Sequence, residues 1–298
     1  MNHQTFPSAE FLSRARAAYL GLAIGDALGA PVEFLTSSEI AQTYGVLDRF
    51  IGGGWLRLKP GQVTDDTQMS LALGDAILEG HGFNLTVVAE HFLSWLKSKP
   101  IDVGNTCRRG IRRYKNEGSL VSPFNEGDAG NGALMRNLPV VLYALRDEIL
   151  FERCTLEQCH FTHNHPLSDA ATLALGHMTR ALILGGTRED CRLCAESLVA
   201  AHRTFRFEPY PRSATGYVVD TVQTVLHGFF TTESFEQCLV KVVNLGGDAD
   251  TNGAIVGMLA GALYGEQAIP ARWLRRLDRI MRRKIEAQSE ALFRLGRN

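Results

Sequence analysis

Two short acidic clusters carry the residues best suited to chemistry: Val63-Thr64-Asp65-Asp66-Thr67 and Gly246-Gly247-Asp248-Ala249-Asp250-Thr251-Asn252. Each stands where a loop runs into a helical pattern, Met69–Leu78 after the first and a glycine-striped run after the second. Aspartate and threonine are preferred helix caps, and the helix dipole favours carboxylates in a first turn, so capping is the first explanation. A cap needs one side-chain oxygen, however, and each cluster offers two carboxylates plus hydroxyls. Adjacent carboxylates repel unless a cation or a proton intervenes. The donors are all oxygen, which suits Mg²⁺ or Mn²⁺ better than Zn²⁺. Four carboxylates from two distant segments could hold a pair of such ions and activate one water for hydrolysis. Capping and metal binding both stay open on the residues alone.

Other patterns point less sharply. His160-x-x-His163-x-His165 has metal-like spacing, yet histidines in a polar turn are ordinarily exposed or hydrogen-bonded. Cys191-x-x-Cys194 is half a zinc motif inside a helical pattern, which reads as two buried thiols. Arg108, Arg109, Arg112, Arg113 and Lys115 form a basic helical patch, a solvated face or a dock for an anionic substrate. Gly130-Asn131-Gly132 could offer backbone N–H groups to a phosphate, or be a plain tight turn. Phosphate-loop, dinucleotide, nucleophile-elbow and H-E-x-x-H motifs are missing, which argues against nucleotide kinases, dehydrogenases, serine esterases and zinc proteases.

The elements that must position these residues are helical. Apolar residues recur at three- and four-residue spacing over Ala9–Leu28, Asp66–Glu79, Thr86–Leu96, Gly132–Leu145, Leu167–Leu184, Arg188–His202 and Ile269–Phe293. Strand-like alternation is scarce; Phe205-Arg206-Phe207 and Val218-Val219 are short exceptions. The pattern predicts an all-α bundle of about a dozen helices. The breaks at Gly52-Gly53-Gly54, Lys59-Pro60-Gly61, Pro123–Gly132 and Glu208–Pro211 are too short for linkers, so residues 1–298 read as a single domain. Glycine recurs every fourth residue at Gly21, Gly25 and Gly29, and again at Gly253, Gly257, Gly261 and Gly265. Each interior glycine weakens a helix by about 1 kcal/mol relative to alanine, so the stripes need a reason. The reason we expect is a close crossing of the two helices that brings Asp26 and Glu33 near Asp248 and Asp250.

Composition sets the surroundings. Apolar residues make up 45% of the 298 and charged residues 21%, as in ordinary globular proteins. With 31 basic and 32 acidic residues no global field draws the chain to nucleic acid or an anionic membrane. The longest apolar stretch, Ala254–Gly265, is too short for a transmembrane segment. Met1–Glu10 lacks the features of a secretory signal, and six scattered cysteines then read as reduced thiols in the cytoplasm.

Four motifs occur in an order that resembles the ADP-ribosylglycohydrolase family: Gly21-Leu22-Ala23-Ile24-Gly25-Asp26-Ala27-Leu28-Gly29, Thr64-Asp65-Asp66-Thr67, Gly130-Asn131-Gly132-Ala133 and Gly247-Asp248-Ala249-Asp250-Thr251. The likeness runs from about Arg14 to the C-terminal helix and includes Gly52-Gly53-Gly54-Trp55, Val103-Gly104-Asn105 with the arginines after it, and His202–Tyr210. Within the family it resembles the branch that acts on the nitrogenase iron protein (dinitrogenase reductase). The resemblance implies a compact all-helical fold, two Mn²⁺ or Mg²⁺ ions, and removal of ADP-ribose from an arginine side chain.

By the same resemblance the metal ligands would be Thr64, Asp65, Asp66, Asp248, Asp250 and Thr251, with Asp65 and Asp66 also counted as catalytic. Asp102 would be the acid/base, and Glu33, Asn105, Glu126, Gly130, Asn131, Gly132 and His163 would lie along the substrate. His165 falls outside the pattern, and Gln68 stands where relatives often have an acid. The resemblance also implies ADP-ribosylated iron protein as partner, control by a PII-type signalling protein, and reversible attachment to the membrane periphery. Two other readings compete: a hydrolase of this fold acting on another ADP-ribose conjugate, and a non-catalytic binding member. Retention of all four aspartates disfavours the latter.

Overall fold

The computed structural model describes residues 8–296; the polar start Met1–Pro7, part of the signal-peptide reading, and Arg297–Asn298 lie outside the described residues. The helices in chain order are α1 (Ser8–Gly29), α2 (Ser37–Tyr44), α3 (Asp65–Glu79), α4 (Leu85–Lys97), α5 (Asn105–Glu117), α6 (Leu138–Tyr143) and α7 (Glu148–His160). They continue with α8 (Pro166–Ile183), α9 (Arg188–Ala201), α10 (Val218–Phe230), α11 (Phe235–Val243), α12 (Ala249–Tyr264), α13 (Ala271–Arg276) and α14 (Arg279–Leu295). Among the described residues extended backbone pairs only in isolated bridges, so the all-α reading holds. None of these helices is long and apolar enough to cross a membrane.

At the centre α1 and α12 lie side by side, antiparallel and buried on nearly every face, as helices at the middle of a core must be. The glycine stripes form their seam. A Cβ built on Gly21 would sit 2.1 Å from the carbonyl oxygen of Gly257, one on Gly25 1.9 Å from that of Gly253, and one on Gly29 2.1 Å from that of Ala249. Gly261 closes the series against the carbonyl of Ala17, also at 2.1 Å. No side chain longer than hydrogen fits between backbones this close. Gly265 does not belong to the stripe. It ends α12 at φ 75°, where a Cβ would meet nothing within 4 Å, so its role is to turn the chain.

Local signals explain most boundaries. Thr36 with Glu39 and Thr187 with Asp190 form capping boxes at the starts of α2 and α9. Three expectations change. The apolar run Gly132–Leu145 is helical only from Leu138, next to Pro139, because the turn before it places Arg136 and Asn137 in buried hydrogen bonds. The run Ile269–Phe293 breaks at Asp278, whose carboxylate accepts from the backbone N–H of Ile280 and Met281 and so starts α14 anew. Val218-Val219 opens α10 instead of forming a strand, and Phe205 ends a 3-10 turn. Valine's β preference yields there to burial of the first helical turn.

The seam supports a direct test. Gly25→Ala should lower stability in urea unfolding by about 3 kcal/mol, since backbone on both sides leaves no room to relax. A loss below about 1 kcal/mol would mean the two helices do not touch there.

Candidate active site and metal centre

The antiparallel seam sets the C-terminal end of α1 against the N-terminal end of α12. Asp26 in α1 and Glu33 just beyond it therefore face the cluster Asp248–Thr251. The α3 cluster joins them: the Thr251 hydroxyl donates to Asp66 Oδ2 at 3.3 Å, linking segments 185 residues apart. Both acidic clusters share one cleft of about 510 Å³.

Neither cluster caps its own helix. Thr64 and Asp248, the capping positions of α3 and α12, make no side-chain cap bond. The cap for α3 comes from α1 instead. Asp26 accepts the backbone N–H of Thr64 at 3.0 Å and of Thr67 at 3.2 Å, and both hydroxyls at 2.9 and 2.5 Å. This leaves Asp65 free to face the cleft and Asp66 free beneath it. Asp65 Oδ2 accepts from Gly104 N–H at 3.1 Å, and Asp66 Oδ1 is buried with no hydrogen-bond partner among the described residues. Asn131 holds Asp248 Oδ2 at 2.5 Å while also donating to Thr221. Oxygens of Glu33, Asp248 and Asp250 lie within 4.8 Å of one another.

Burial raises every one of these acids. Burial chiefly, then repulsion from its neighbours, pushes Asp65 up to about 7 and Glu33 to about 8. Burial takes Asp26 to about 6 against its many donors, and Asp66 and Asp250 go well above the ordinary carboxylate range by burial and mutual repulsion. Asp102 and Asp248 are raised by burial as well. The positive ends of α3 and α12 point at this charge but do not cancel it. An orphaned carboxylate oxygen, unpaired acids from three segments and an all-oxygen donor set fit hard divalent cations.

Asp102, Asn105, Gly130, Asn131, Gly132 and His163 line the same cleft, as do Glu33, Asp65, Asp248, Asp250 and Thr251. Thr64 and Asp66 lie beneath it, buried. Glu126 does not line it: its side chain is 88% exposed and, among the described residues, pairs only with His165 Nε2, at 3.6 Å. The histidine turn is not a polar surface either. His163 and His165 are buried; His165 caps α8 through Nδ1 and stacks on Phe124, and His160 pairs with Asp169. Burial, with Arg136 and Arg109 nearby, keeps His163 well below its ordinary value and hence neutral. Gly130 and Gly132 make room for its ring, since a Cβ on Gly132 would come within 2.8 Å of it. The N–H of Asn131 already donates to Gly216, so that turn is no plain phosphate cradle. Cys191 and Cys194 are free thiols in α9.

Three contributors were given no role by the sequence, although Asp26 and Trp55 stand inside the stretches that carry the resemblance. Trp55 Nε1 donates to Glu33 at 2.7 Å across the cleft mouth. Arg136, fully buried, donates to Gln158 and to Thr162, whose hydroxyl bonds His163 Nδ1 at 2.7 Å. Asp26 was legible as a neighbour of the clusters, but its role as a cap on another helix was not.

Such a cleft, acid-lined at the meeting of helix ends in an all-α bundle, defines a class of hydrolase, and the comparisons agree. The ADP-ribosylglycohydrolase family model matches residues 7–298, and the chain belongs to that family. It is 56% identical over 283 residues, 95% of this chain and 96% of the other, to the ADP-ribosyl-[dinitrogen reductase] glycohydrolase of Rhodospirillum rubrum. The ADP-ribosylarginine hydrolase Tri1 of Serratia proteamaculans (strain 568) is 30% identical over 96% of this chain and 81% of its own. Among solved structures, an ADP-ribosylglycohydrolase-related protein complex superposes with a TM-score of 0.87 at 36% identity, over 97% and 99% of the two chains.

The raised acids make a pH prediction for metal-free protein. Unfolded, these carboxylates titrate near 4; folded, the values given run from about 6 to about 8. The folded state therefore binds more protons in that window, and the cleft's contribution to stability is full below pH 4 and lost as pH rises towards 8. The urea midpoint of chelated protein should fall more between pH 5 and pH 8 than that of Mn²⁺-loaded protein. Equal falls would show that cations do not replace those protons.

Proposed function

We propose that this chain removes ADP-ribose from an ADP-ribosylated arginine of the nitrogenase iron protein, working as a single catalytic domain with two Mn²⁺ or Mg²⁺ ions. The observation that carries the reading is the contact between Thr251 and Asp66, which makes one site of two acidic clusters. The 56% identity to the Rhodospirillum rubrum glycohydrolase supports the choice of protein substrate. The Serratia relative, named for ADP-ribosylarginine, supports the linkage.

The ligands would be Thr64, Asp65, Asp66, Asp248, Asp250 and Thr251, with Glu33 close enough to Asp248 and Asp250 to join them. When bound, the ions would supply Lewis acidity to the ribose hydroxyls and to the attacking water. The bond to break joins ribose C1 to a guanidinium nitrogen, so positive charge grows on the sugar as it lengthens. The carboxylates of the cleft stabilise that charge. Asp102 is half-buried beside Asp65, and burial raises its affinity for protons, the direction an acid for the leaving guanidine needs. His163, neutral and held by Thr162, offers the sugar side an uncharged wall that does not repel it. Recruitment by a PII-type protein, with reversible attachment to a membrane, is part of the same proposal on family resemblance alone.

One assay tests the core: ADP-ribose release from modified iron protein with Mn²⁺ and with chelator. Release should need the metal, and Asp102→Asn should keep fold and metal binding while losing about a hundredfold or more in kcat. A fully active Asp102→Asn enzyme would remove that residue from catalysis. Hydrolysis of free conjugates with none of the modified protein would favour the alternative substrate.

A further inference from the structure

The cleft accounts for the acids but not for a long run of positive charge near the C-terminus. Seven of the chain's 31 Lys and Arg residues fall between Arg272 and Lys284, with Asp278 the one acid among them. Three are occupied: Arg272 grips Glu236 with two bonds of 2.6 and 3.1 Å, Arg282 pairs with Glu286, and Lys284 with Asp75. Arg275, Arg276, Arg279 and Arg283 are exposed, and among the described residues their side chains make no ion pair or hydrogen bond. A solvated face is the ordinary reading of such charge, so position must decide.

Position ties this charge to the cleft. Trp273 Nε1 donates to the carbonyl of Asp48 at 2.9 Å, and Asp278 N–H to that of Gly61 at 3.0 Å, so α13 is pinned to both roots of the loop 49–61. Between α13 and the root at Arg49 and Phe50 lies a groove of about 420 Å³, rimmed by Arg49, Arg272, Arg275 and Arg276 and floored by Phe50 and Trp273. The far end of the same loop carries Trp55 on the cleft mouth, its ring 5.7 Å from that of Phe34. The two rings are 56% and 67% exposed, and Phe34 is held outward at φ 67° by its N–H bond to Gly247. Exposed Arg57 and Lys59 fill the stretch between. The loop thus carries an aromatic pair at its far end, exposed basic residues along it and a basic groove at its root.

A small conjugate seated in the cleft has no use for cations on the far side of that loop. Exposed aromatics next to arginines are the composition of protein interfaces. We propose that this surface docks the protein that carries the modified arginine, and that an acidic segment of that protein enters the groove beside α13. The inference rests on the reading of the substrate as an ADP-ribosylated protein. Its logic is complementarity: the arginine enters an acidic cleft while flanking acids meet the basic strip, which sets orientation and speeds encounter.

The test compares two substrates, modified iron protein and a free ADP-ribosyl-arginine conjugate, in wild type and in the triple variant Arg275→Glu, Arg276→Glu, Arg279→Glu. KM for the protein should rise about tenfold or more in the variant while both constants for the free conjugate stay at wild-type values. Added salt should raise the wild-type KM for the protein and move the variant little. The matching triple lysine variant should retain the wild-type KM. An unchanged KM for the protein, or equal losses on both substrates, would overturn the docking surface, as would a defect confined to binding anionic lipid vesicles. Wild-type enzyme inert on both substrates would instead overturn the functional reading, and this inference with it.

Discussion

The crossing of α1 and α12 at backbone contact is the constraint on which the rest depends. Four successive close approaches, Gly21 to Gly257, Gly25 to Gly253, Gly29 to Ala249 and Gly261 to Ala17, set both the distance and the register of the two helices. A seam of ordinary side chains would hold the axes about 8–10 Å apart and permit sliding between neighbouring grooves. With glycines the backbones index each other, because a shift of one residue puts a Cβ into a carbonyl. Helix propensity is lost at every glycine of the seam. What is gained is an N-terminal end of α12 placed against the C-terminal end of α1.

That placement lets Asp26 serve another helix. Capping from outside satisfies the N–H groups of Thr64 and Thr67 without using Asp65 or Asp66, which would otherwise be natural candidates for the task. The aspartates are thereby left under-satisfied and close together, an arrangement that opposes folding unless protons or cations share the cleft. A buried carboxylate oxygen with no partner, as at Asp66, is the local mark of this strain. Stability held in the glycine seam and the apolar core around it offsets that opposition. Rigid support and an electrostatically unfavourable site are two aspects of one design.

How much of this was legible depended on whether the signal was local. The helical period, the acidic clusters and the glycine stripes are each short patterns with one dominant physical cause, and each led to the right element or juxtaposition. Gly265 looked like one more member of the stripe because spacing alone does not distinguish a glycine that admits a neighbour from one that turns the chain. The stretch Gly132–Asn137 carried apolar periodicity, but Arg136 and Asn137 draw the backbone into a turn through bonds to Gln158, a partner no local window contains. His163 resisted reading for the same reason: its burial is decided by Gly130, Gly132, Thr162 and Arg136 together. Glu126 shows the opposite limit, where resemblance assigned a residue to the substrate and the side chain points to solvent beside His165.

The division of charge over the molecule follows from the same economy of position. A nearly neutral chain, at a formal charge of -1, conceals an acidic cleft and a basic strip separated by a single loop. Net charge reports solubility, whereas recognition depends on where opposite charges are kept apart. Here the separation is enforced by backbone: Gly61, at φ 79°, packs directly on the carbonyl of Arg276, and the loop it ends runs out to Trp55 at the cleft mouth. The basic groove thus keeps a fixed place relative to the acids, because α13 is pinned to the loop that leads into Thr64, Asp65 and Asp66. A substrate long enough to touch both would be oriented before its scissile bond reached the aspartates.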